Sequence, residues 1–277
     1  MTTLPTVIGI AGATGLVTGL GALPVFVRAG VSHRTYDAAL GLAAGLMVAA
    51  SVFGLILPGT EEGTLEAVLF GLLVGGIGLL VGNRLIPHLH ARYRGWRAEG
   101  GATDDDASGM AGRNGSDGVD GTAATVDAAL RRALLVGGAI TLHNAPEGLA
   151  IGVAFASGLE EVALVLAVVI GLQNVPDGFA FAIPMAETGM GNLRVLVYTA
   201  LSGTIPQVLA ATVGFSLVSL STGLFPVAAG FAAGAMLAVV FREMIPSSHG
   251  HGHSDAATAA FLVGFVLLVV VDAAVVA

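Results

Sequence analysis

Eight stretches of this chain stay mainly apolar for about 20 residues, the length needed to cross the hydrocarbon core of a bilayer. They run roughly over Pro5–Val27, Ala38–Leu57, Leu65–Ile86, Ala129–Ala156, Val162–Ala186, Leu193–Leu220, Phe225–Ile245 and Ala257–Val276. A backbone in lipid must satisfy its own hydrogen bonds, so each run is expected to be a helix or a barrel strand. The runs are continuous rather than alternating, which excludes the barrel. Only 11% of the residues are charged, against about 25% in a soluble domain. There is no Cys, so disulfides, thiolate zinc sites and thiol catalysis are excluded. A net charge of −8 gives no electrostatic footprint for nucleic acid. The first positive charge, Arg28, follows the first apolar run, so that run is expected to be a span rather than a cleaved signal.

The basic residues test the span count. All eleven are Arg. Arg28 and Arg34 fall between the first two runs, seven more surround the stretch between the third and fourth, Arg194 lies between the fifth and sixth, and Arg242 ends the seventh. An eight-span topology puts every one on the same side, opposite Glu61, Glu62, Glu160 and Glu161. The positive-inside rule makes the Arg side cytoplasmic, with both termini extracytoplasmic. Residues 1–98 then carry helices one to three, 99–128 form a flexible cytoplasmic linker, and 129–277 carry helices four to eight, as one membrane domain. The linker is rich in Gly, Ala, Asp, Ser and Thr and is expected to be solvated.

Two internal repeats stand out. Leu142–Val153, LHNAPEGLAIGV, matches Leu172–Ile183, LQNVPDGFAFAI. More faintly, Ala43-Ala44-Gly45 with Met47 recurs as Ala232-Ala233-Gly234 with Met236, and both copies run on to a proline, Pro58 and Pro246. The second and seventh spans point in opposite directions in this topology, as inverted repeats of secondary transporters do.

The first repeat carries the chemistry. His143 and Glu147 lie in an apolar run, where ionisable groups are expensive and usually mark a site or pathway. Their i, i+4 spacing puts them on one helix face, and Gln173 and Asp177 repeat it one span later. Asn144 and Asn174 follow one position round each helix. Two carboxylates can neutralise a divalent cation, and an imidazole among oxygen donors suits transition metals. Pro146 and Pro176 are expected to kink their helices, and Gly148 and Gly178 to leave space beside the acids.

The HNAPEG and QNVPDG runs resemble the paired motifs of the ZIP (Zrt-/Irt-like) family of divalent-metal transporters. AAGLMVAAS, RLIPHLH and the AAGAM…EMIP segment are similar to ZIP sequences too. The resemblance covers nearly all eight spans. It implies an all-α polytopic fold of eight transmembrane helices with inverted repeats and a binuclear metal centre between the fourth and fifth. His143, Glu147, Gln173 and Asp177, with Met47 nearby, would form the primary site. Asn144 and Asn174 would form a second, bridged by Glu147 and Asp177. Two departures qualify this. Asp177 replaces the usual Glu, and the sixth span reads SGTIPQ, with Pro206 and Gln207 where relatives carry an acid, so the second site is expected to be weak or absent.

The expected function is movement of divalent cations toward the cytoplasm by alternating access, with zinc first and iron, manganese, cobalt or cadmium as other substrates, and no enzymatic activity. A membrane-embedded metal hydrolase and a non-transporting metal sensor are the competing readings. His249, His251 and His253 alternate with glycine before the eighth span and are candidates for cytoplasmic metal capture against a plain polar loop. His88 and His90 are candidates for the same role or for interfacial anchors. Glu243, next to Arg242, is expected to form a local interfacial ion pair, with a route-lining acid as the alternative; Asp272 is expected to be interfacial. Gly71 and Gly75 offer a small-residue face for a homodimer or for internal packing.

Overall fold

The computed structural model describes residues 2–27, 32–85 and 143–276. Helices are the only regular structure in them, and seven are long and apolar enough to cross a membrane. They are α1 (Leu4–Val27), α2 (His33–Glu61), α3 (Leu65–Leu85), α5 (Glu160–Glu187), α6 (Asn192–Leu220), α7 (Thr222–Ser248) and α8 (Ser254–Val276). The fourth span is described over 143–157, helical throughout, and is called α4. The 99–128 linker, His88 and His90 lie outside the described residues.

Local sequence explains the ends and irregularities. Pro5 sits in the first turn of α1, where its missing N–H costs nothing. Ser32 caps α2 by accepting from the Thr35 N–H at 3.1 Å. Within α1 the backbone tightens to a 3-10 turn over Thr18–Ala22. Within α2 and α7 it widens to a π-helical turn, over Val52–Ile56 and Val240–Met244. Each wide turn ends just before a proline, Pro58 or Pro246. A π turn shifts the hydrogen-bonding register by one residue, which accommodates the missing proline N–H without ending the helix. By contrast α5 and α6 remain helical through Pro176 and Pro206.

The second repeat is thereby structural. Gly41 and Gly45 of α2 lie against the backbone of Ala257 and Phe261 in α8. Their counterparts Gly230 and Gly234 of α7 lie against the backbone of Val68 and Leu72 in α3. A Cβ at any of the four would overlap a carbonyl, so only glycine allows the approach. Gly71 and Gly75 answer from the α3 side, against Val227 and Phe231. That face is used inside the molecule, which removes it as a dimer contact. The remaining helices form a second group: α1 packs along α6 and against α5, and α4 meets α6 through Gly148 and Gly152.

Candidate metal centre

Where α4 and α5 cross the middle of this assembly, the apolar core gives way to polar side chains. His143, Asn144, Glu147, Gln173, Asn174 and Asp177 are all buried, Glu147 and Gln173 completely. Gln173 Nε2 donates to Glu147 Oε1 at 2.7 Å, tying α5 to α4. On the next face, Asn174 Nδ2 donates to the Thr14 carbonyl and to Gln207 Oε1, each at 3.0 Å. Gln207 Nε2 in turn donates to Thr14 Oγ1 at 2.7 Å. The Thr14 carbonyl is available because Thr18, at the start of the 3-10 turn, donates its N–H to Gly15 instead. At the other end, His143 Nε2 lies 2.6 Å from Glu243 Oε2 on the π turn of α7. The polar chain therefore reaches α1, α4, α5, α6 and α7.

The atoms left over point to the ligand. Glu147 Oε2, Gln173 Oε1, Asn174 Oδ1 and Asp177 Oδ2 are buried and accept no hydrogen bond from the protein. Leaving such a group unmade costs about 1–3 kcal/mol apiece. All four are oxygens, from two carboxylates and two amides. A pocket presenting only acceptors suits a cation and repels an anion. The donor groups of both amides are already engaged, which fixes their oxygens as the free ends. Among the described residues no three His, Asp or Glu side chains already converge on one point. The centre is therefore a mixed carboxylate and amide site rather than a ring of histidines.

Three expectations change in detail. The gaps beside the acids are filled: Gly148 takes the backbone of Gln207 and Gly178 that of Thr18, so the glycines bring neighbouring helices in rather than leaving room. Glu243 reaches back to His143 instead of serving only as an interfacial partner of Arg242. Met47 is fully buried and belongs to the apolar core cluster that also holds Ile151 and Ile170. Sequence reasoning left out Thr14 altogether and gave Gln207 no positive role. A threonine in an apolar helix carries no signal by itself. Glu243 did carry one, as an acid inside an apolar run.

The histidines before α8 divide. His251 Nδ1 lies 2.8 Å from Asp37 Oδ1 in α2. His249 Nδ1 lies 2.9 Å from the Ile245 carbonyl, and His253 is exposed. The acids at the opposite mouth are surface groups, and Thr2 donates to Glu160 at 2.8 Å.

Fold and site together define a polytopic helical membrane protein with a cation-seeking polar centre shared between its spans. The comparison with known families then names the class: the family described as ZIP Zinc transporter matches residues 4–272, and the chain belongs to it. It is 36% identical over 267 residues to "Zinc transporter GufA" of Myxococcus xanthus, covering 93% of this chain and 94% of that one. It is 36% identical to "Zinc transporter ZIPB" of Bordetella bronchiseptica, covering 96% and 80%. Human "Zinc transporter ZIP11" is 32% identical, covering 92% and 93%.

Proposed function

We propose that this protein carries zinc across the membrane toward the cytoplasm, one ion at a time, at the α4–α5 centre. The four orphaned oxygens are the observation that carries the reading: they form an acceptor-only set in the middle of a membrane protein whose relatives are named zinc transporters. Glu147 and Asp177 supply the charge, Gln173 an amide oxygen and His143 an imidazole. His143 meets Glu243, and Gln173 donates to Glu147. Metal entry would exchange these hydrogen bonds for ligand bonds. Asn144 stands beside the centre on α4. Met47 acts through packing.

The second ion of a binuclear centre is disfavoured here. Gln207 and Asn174 are neutral, and both ends of the Gln207 amide and Asn174 Nδ2 are already bonded, which leaves Asn174 Oδ1 as an uncharged acceptor on that side. A second divalent ion there would lack a third carboxylate. Oxygen-rich ligation with one imidazole also admits manganese, iron, cobalt and cadmium. The two helix groups, α2–α3–α7–α8 and α1–α4–α5–α6, are the natural rigid bodies for alternating access, with both termini extracytoplasmic.

The test is uptake of zinc, iron, manganese, cobalt and cadmium into metal-free proteoliposomes. Saturable uptake that Glu147→Ala abolishes is the expected result. A folded, metal-binding protein that moves none of the five would overturn the transport reading and favour a sensor.

A further inference from the structure

Asp37 is a fully buried carboxylate in the second turn of α2. One of its oxygens meets His251 Nδ1 at 2.8 Å; the other, Oδ2, is buried with no hydrogen-bond partner. A carboxylate in such a place needs a compensating positive charge. The imidazole of His251 is its hydrogen-bond partner, and that ring is not buried with it: the side chain is 33% exposed. With Nδ1–H committed to Asp37, His251 presents Nε2 as a lone pair. This carboxylate–histidine arrangement is how proteins orient an imidazole for a metal.

A second imidazole is in place. His33, one turn before Asp37 on α2, stacks on His251 with ring centroids 4.5 Å apart and planes 16° from parallel. Two imidazole nitrogens on one tetrahedral zinc lie about 3.3 Å apart with both ring planes aimed at the ion, so His33 must leave the stack and turn its ring edge toward His251 Nε2 for both to bind it. His249, on the same loop, also has its Nδ1 held, by the Ile245 carbonyl, which leaves its Nε2 as a lone pair. Tyr36 closes the far side, edge-on to His251 at 5.6 Å and tilted against Phe179 of α5 at 5.8 Å.

We infer that His251 and His33, with Asp37 orienting His251 from behind, form a separate binding site for a zinc-like divalent cation at the mouth between α2 and the α7–α8 loop. The cation would complete the charge of Asp37 through the His251 ring. The site extends the transport reading, but its chemistry does not depend on it.

The test uses the full chain with the central site disabled by Glu147→Gln and Asp177→Asn. Equilibrium zinc binding and the visible absorption of bound cobalt are read in that background. The expected result is a residual ion whose cobalt bands show nitrogen ligation. His251→Ala removes that ion, and His33→Ala weakens it by about 10-fold or more. Asp37→Asn, which keeps the shape, weakens it by about 10–100-fold, as loss of an orienting carboxylate does. Melting temperature and elution volume identify any variant that fails to fold, and His33→Gln then replaces His33→Ala. A residual ion that survives His251→Ala, or one that leaves with His249→Ala and His253→Ala while ignoring His33 and His251, overturns the proposal. So does a background that binds no zinc at all, since Asp37 is then compensated by a proton on His251. Uptake that fails in the unmodified protein while this residual ion follows His251 would sink the transport reading and leave the mouth site standing.

Discussion

The molecule contains two internal repeats that use the same membrane for opposite ends. The α4–α5 repeat spends its recurring spacing on polar atoms and leaves Glu147 Oε2, Gln173 Oε1, Asn174 Oδ1 and Asp177 Oδ2 without a protein hydrogen bond. The α2–α7 repeat spends its spacing on glycine: Gly41 and Gly45 seat α8, Gly230 and Gly234 seat α3, and a π turn before a proline closes each copy. Both produce close helix contacts, but by different means. In lipid, apolar burial gives little drive for association, so small residues must supply packing at short range. One pair thus builds a frame in which an expensive, under-satisfied centre can be held by the other.

The sharpest way to separate the two is to damage each alone. Glu147→Ala or Asp177→Ala is expected to lower metal affinity and uptake by about 100-fold or more, since each removes a charged ligand from a site holding few. The metal-free melting temperature should stay level or rise, because an uncompensated buried carboxylate is a burden on the apo fold. Uptake and differential scanning fluorimetry on the same samples check both halves. A melting temperature that falls steeply in Asp177→Ala would show that the acid holds the frame as well.

The converse change is in the glycines. Gly45→Ala, or its repeat mate Gly234→Ala, pushes a Cβ into a neighbouring carbonyl and is expected to cost about 1–3 kcal/mol, as overpacking of a tight contact does. Gly78, which has open space around it, should accept alanine with no loss. Thermal melts of the three variants decide the matter. If Gly45 and Gly234 differ strongly, the two copies are not mechanically equivalent and the repeat is a feature of sequence alone.

The same contrast explains what could be read from the sequence. Apolar length was enough for the all-α, multi-span fold, because lipid leaves the backbone almost no alternatives. His143, Glu147, Gln173 and Asp177 were legible because ionisable or amide groups at helical spacing in an apolar run have few bland explanations. Thr14 was not, since its part is a backbone carbonyl freed by a 3-10 turn that no residue type announces. The contact of Glu243 with His143 was not legible because it spans 100 residues of chain. The glycines of the motif were read as space. Their purpose, admitting the backbone of Gln207 and Thr18, depends on which helices are neighbours.

Gln207 lies between the two kinds of effect. Gln207→Leu keeps the bulk but removes two hydrogen bonds, to Asn174 and to Thr14. At about 1 kcal/mol each, the loss of one from a ligand-positioning chain predicts about a 5-fold rise in the KM for zinc with the maximal rate little changed. Gln207→Glu is the more telling variant. If this residue is what keeps the neighbouring pocket neutral, the acid should raise zinc stoichiometry toward two ions per chain. Isothermal titration calorimetry that still returns one would show that Asn174, not Gln207, sets the limit.

The smallest effect is expected at Met47, and its smallness is informative. The family resemblance brings its thioether near the primary site, while the structure seats it among Ile151, Ile170 and the alanines of the core. A thioether that only packs can be replaced by Leu for less than about 1.5 kcal/mol, since the volume is conserved. Met47→Leu should then leave the ratio of cadmium to manganese uptake unchanged. A soft sulfur ligand would have favoured cadmium, so its removal would lower that ratio selectively. A drop in cadmium uptake with manganese unaffected would move Met47 from the frame to the ligand set, and with it the boundary between the two repeats.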